Sequence, residues 1–144
     1  MPIEPMKPSA IEAHCETIED CYEFTLSYAA RGLAADQGSE YGRQLREKLS
    51  GAAEAMRGLE AACAAALDEL QLAPAEKYHA FFAVLARDAE SAAAAVELVL
   101  AQPVIGSQMI DNLNASIHLR ALLTDLFLVT EILTSRRAQA PASK

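Results

Sequence analysis

A chain of 144 residues has the length of one ordinary domain and buries about two-thirds of its unfolded surface, so no disulfide or metal staple is needed for folding. Its residues are 52% hydrophobic, much of that alanine, with 6% aromatics and no Trp; this suits closely packed helices and leaves few β-branched or aromatic runs for strands. The net charge of −8 argues against nucleic acid, where binding depends on neutralised phosphates.

Residues 1–8, Met1-Pro2-Ile3-Glu4-Pro5-Met6-Lys7-Pro8, read as an extended arm; lacking a basic start and an apolar core, they do not read as a signal peptide. Ser9 is placed to cap a first helix over about residues 9–36. Its core stripe is Ile11, Cys15, Ile18, Tyr22, Thr25, Ala29 and Leu33, beside an acidic stripe of Glu12, Glu16, Glu19 and Glu23. Gly38 stands where a helix-ending residue would, and Ser39 caps a second helix over about 40–70. That helix repeats the 4-3-4-3 spacing through Leu45, Leu49, Ala52, Met56, Leu59, Cys63, Ala66 and Leu70. Pro74 takes the first position of a third helix, about 74–101, with Tyr78, Phe82, Leu85, Ala89, Ala92, Val96 and Val99 inward. Gln102-Pro103 stops it, a fourth helix runs over about 107–136, and residues 138–144 read as a disordered tail. Long helices joined by short loops predict a single all-α domain over 9–137, a four-helix antiparallel up-and-down bundle.

The fourth helix is apolar on two sides. Ile110, Leu113, Ile117, Ala121, Thr124, Leu128 and Ile132 form one row; Leu119, Leu122, Leu126, Val129 and Leu133 form another, turned roughly 150° away at 100° per residue. A bundle helix needs one core face, so the second row, Leu119 to Leu133, is assigned to a two-fold contact with another copy of the chain. The competing reading makes this helix central, with the other three wrapped around it.

Chemistry-bearing residues are sparse. His118 lies on the fourth helix with Asp111 and Asp125 seven residues to either side, and level counting brings Glu90 of the third helix to the same height. An imidazole with carboxylates can hold a metal or move a proton. However, positions seven apart on one helix are about 10.5 Å apart, so they cannot share a metal unaided. Asp125 interrupts an apolar run and needs a partner, with His118, Arg31 or Arg87 as candidates. Glu76-Lys77-Tyr78-His79 has the Glu-x-x-His spacing of carboxylate-bridged metal bundles, but only once and in a first helical turn. Cys15, Cys21 and Cys63 form no paired motif; they read as buried thiols of a reducing, cytoplasmic setting. No phosphate loop or nucleophile elbow occurs, and no cofactor is implied. The longest apolar stretch, Ala121 to Leu133, is too short to span a bilayer and contains Asp125 and Glu131.

These observations point away from an enzyme. They favour a small cytoplasmic helical-bundle protein acting through protein–protein contacts, as an adaptor, regulator or assembly factor, and homodimeric through its fourth helix. The alternative is a metal- or small-ligand-binding bundle built on His118 with Asp111, Asp125 and Glu90.

Overall fold

The computed structural model describes residues 9–139, and all regular structure among them is helical. Five helices follow one another: α1 Ala10–Ala30, α2 Glu40–Glu69, α3 Ala75–Leu100, α4 Ser107–Asn114 and α5 Ile117–Gln139. The expected arm, 1–8, and residues 140–144 of the expected tail lie outside the described residues, whereas Ala138 and Gln139 still belong to α5. No helix among the described residues is long and apolar enough to cross a membrane.

α1 begins as its cap residues dictate. The Ser9 hydroxyl accepts the Glu12 N–H while the Glu12 carboxylate accepts the Ser9 N–H, a reciprocal capping box. The same carboxylate is held by Arg137 near the end of α5, which ties the first described turn to the last. α1 ends one loop earlier than expected. Arg31 is its C-cap and Gly32, at φ +65°, turns the chain out of the helix, so Gly38 (φ +80°) serves the loop instead. Tyr28, rather than Ala29, is the last core residue of α1; its ring is fully buried and its hydroxyl donates to the Ile105 carbonyl at 2.8 Å.

The stripes of α2 and α3 bury much as their spacing predicts. Leu45, Leu49, Ala52, Met56, Leu59, Cys63 and Ala66 on α2 meet Phe82, Leu85, Ala89, Ala92, Val96 and Val99 on α3. Pro74 is the N-cap of α3 and not its first helical residue. Alanines fill the second rows of both helices, at Ala53, Ala55 and Ala62 on α2 and Ala93 on α3. Buried residues from all five helices join in one core, where each fully buried Leu or Ile is worth about 1.5–3 kcal/mol.

One end of the molecule is closed by polar bonds between the α1–α2 and α3–α4 loops. Asp36 is 4% exposed and accepts the Ile105 N–H at 2.7 Å and the Arg46 guanidinium. Arg46 also donates to the carbonyls of Leu100 and Gln102, satisfying the end of α3. Ser107 completes the closure: its hydroxyl donates to the Tyr28 carbonyl and accepts the Leu33 N–H, and its own N–H donates to the Leu33 carbonyl.

Candidate functional site

The expected fourth helix is two helices, and this changes which residues face inward. α4 stops at Asn114, Ala115 caps it, and the Ser116 carbonyl accepts the Arg120 N–H to start α5. Asn and Ser side chains compete with helical backbone bonds, which makes Asn114-Ala115-Ser116 a reasonable place to break. In α4 the buried residues are Ser107, Ile110, Leu113 and Asn114. In α5 they are Leu119, Leu122, Leu123, Leu126, Val129 and Leu133.

The assignment of Leu119, Leu122, Leu126, Val129 and Leu133 to a contact between copies is therefore corrected. All five are 0–5% exposed within a single chain, where they form the core face of α5. The other row divides at the break. Its first members, Ile110 and Leu113, are core residues of α4, while Ile117, Leu128 and Ile132 are 74%, 50% and 36% exposed. Nor is α5 a central helix, because this side of it faces outward.

Of the eight large hydrophobic residues exposed among the described residues, four (Ile117, Phe127, Leu128 and Ile132) lie on α5. Leu128 and Ile132 line a groove of about 150 Å³ together with Val129 and, from α3, Lys77, Tyr78, Phe81 and Phe82. Tyr78 packs edge-on against Phe82, with ring centroids 5.9 Å apart, and thereby shapes one wall. Phe127, 48% exposed, stands on the opposite flank of α5, and Val84 of α3 is 36% exposed. Sequence reasoning missed the groove because two helices distant in sequence build it. A signal was present in the Phe81-Phe82 pair, since adjacent helical residues cannot both point into one core.

A pair of carboxyl groups also lies between α3 and α5. Asp88 follows Phe81 by two helical turns and Asp125 precedes Leu128 by three residues, and the two half-buried side chains meet between α3 and α5. Burial first, then the shared hydrogen bond and the like charge of Asp88, push the Asp125 carboxyl up to about 7. One Asp125 oxygen, Oδ2, is buried without a hydrogen-bond partner. The expected partners His118, Arg31 and Arg87 are replaced by an acid, which is workable because a protonated carboxyl donates to its neighbour.

The metal constellation is not assembled. His118, Asp111 and Glu90 are exposed, and the helix break puts Asp111 on α4 while His118 and Asp125 are on α5, so the three do not share one helical line. Glu90 lines a separate depression with Arg57 and Glu60, between α2 and α3. Glu76 and His79 are exposed in the first turns of α3. Among the described residues no group of three or more His, Cys, Asp or Glu side chains is placed to hold a metal ion. Cys15, Cys21 and Cys63 are buried and unbridged; burial above all pushes each thiol up to about 12, far from the thiolate needed for nucleophilic or ligating chemistry.

Comparison of the chain with protein-family models, with curated proteins and with solved structures finds no match.

Proposed function

We propose that this chain acts through protein–protein contact, as a helical-bundle adaptor, regulator or assembly factor, using the outward face of α5 and the adjoining edge of α3, and that it is homodimeric through that face. One observation carries the reading: Leu128 and Ile132, one helical turn apart on α5, expose 50% and 36% of their surface beside an apolar groove. Single exposed hydrophobics are ordinary, but a contiguous patch at helical spacing marks a contact surface. In the architecture we favour, α4 and α5 share the fourth position of an antiparallel up-and-down bundle. In support, α1 packs on α2, α2 on α3, α3 on α5 and α5 on α1, while α4 packs chiefly on α1. Three buried, unbridged thiols fit a reducing cytoplasmic setting.

Sedimentation of the untagged chain over a micromolar concentration series tests the reading. A reversible monomer–dimer equilibrium is expected. A monomer throughout the series contradicts the homodimer.

A further inference from the structure

Phe127 and the α3–α5 groove lie on the same outward ridge but on opposite flanks. Phe127 is five residues before Ile132, which turns it about 140° away around α5 at 100° per residue. The ring therefore cannot enter the groove of its own chain. A two-fold axis running along the ridge exchanges the flanks and carries each Phe127 onto the other copy's groove. The sizes agree: the groove holds about 150 Å³, and an apolar cavity of that volume accommodates benzene, the ring of a phenylalanine.

Charge agrees as well. Glu131 follows Phe127 by four residues and so stands beside it on α5, while Lys77 rims the groove. Both are exposed, and neither is in an ion pair within the chain among the described residues. A mate whose Phe127 enters the groove brings its Glu131 toward Lys77, and the symmetry repeats the pair. The acidic face of α1 offers nothing comparable, since a self-contact there would set like charges together.

We propose that two copies of this chain join by reciprocal insertion of Phe127 into the mate's α3–α5 groove, with each Glu131 paired to Lys77 of the other copy. This rests on the homodimer reading above and adds its geometry. The test is made on the full chain with Lys77→Glu and Glu131→Lys as separate variants. Each alone is expected to weaken the dimer by roughly tenfold or more, because both symmetric pairs become like-charged. Mixed in equal amounts, they are expected to recover wild-type affinity as a heterodimer, in which both crossed pairs are again opposite in sign. Phe127→Ala is expected to weaken association by roughly a hundredfold with helical content unchanged, whereas Leu98→Ala, at a site 66% exposed toward the other end of α3, has no effect. A wild type that dimerises while the mixed variants fail to recover, or while Phe127→Ala binds as tightly, overturns the insertion and leaves the homodimer standing. A monomeric wild type removes both.

Discussion

Gly42 is packed against the backbone of Asp36 so closely that a Cβ built on it would stand 2.6 Å from the Asp36 carbonyl carbon and 2.8 Å from its Cα. The Gly42 N–H meanwhile donates to the Ser39 hydroxyl, so the start of α2 and the loop before it are held as one unit. Gly42→Ala should therefore destabilise the fold by roughly 1–3 kcal/mol, although alanine is the better helix former. Gly51→Ala, also within α2, meets only the Thr17 methyl at 4.0 Å and should stabilise by about 0.5–1 kcal/mol. Urea unfolding of the two variants checks the opposite signs.

Asp36 governs acid stability at the same end. Burial opposes its charge, but the Arg46 guanidinium and the Ile105 N–H outweigh that and hold its carboxyl below the ordinary value of 3.8. A carboxyl lowered by folding adds stability that is present above its unfolded pKa and is lost as pH falls through its folded one. Asp36→Asn should cost roughly 2–3 kcal/mol at neutral pH and should flatten the decline in stability below about pH 4. Thermal melts across that acid range measure both effects.

Asp125 has the opposite sign. Its carboxyl is raised, so its favourable contribution belongs to the protonated form and is lost as pH rises through about 7. Asp125→Asn keeps a neutral group beside Asp88. The variant should melt close to wild type at about pH 3.5, below the ordinary carboxyl value, and a few degrees above it at about pH 8. An equal difference at both values would show that Asp88 and Asp125 do not share a proton.

Hydrophobic spacing made most of the helices legible. The stripes of α2 and α3 are buried almost residue for residue because each of these helices has one core face, and a 4-3-4-3 pattern reports that directly. The break at Ala115-Ser116 was not legible, since the apolar rows on both sides of it can be drawn through as one continuous helix. α4 is set instead by tertiary bonds, from Ser107 to Tyr28 and Leu33, which no periodicity encodes. Drawn on one helix with Leu128, Ile110 and Leu113 make the outward row resemble core and the true core row resemble an interface. The candidate site suffered in the same way: Asp111, His118 and Asp125 align only on an unbroken helix, and Asp88 pairs with Asp125 across a helix boundary that spacing cannot see.

The most direct test of which side of α5 is core and which is contact surface compares Leu126→Glu with Leu128→Glu. The two sites are two residues apart, one fully buried and the other 50% exposed. Helical content by circular dichroism and mass by sedimentation are measured on both variants at the same concentration. Leu126→Glu should unfold the chain, because it buries an unpaired carboxylate in the core. Leu128→Glu should keep wild-type helical content and sediment as a monomer where the wild type is dimeric. A folded, monomeric Leu126→Glu beside an unfolded Leu128→Glu would contradict the assignment of the two faces.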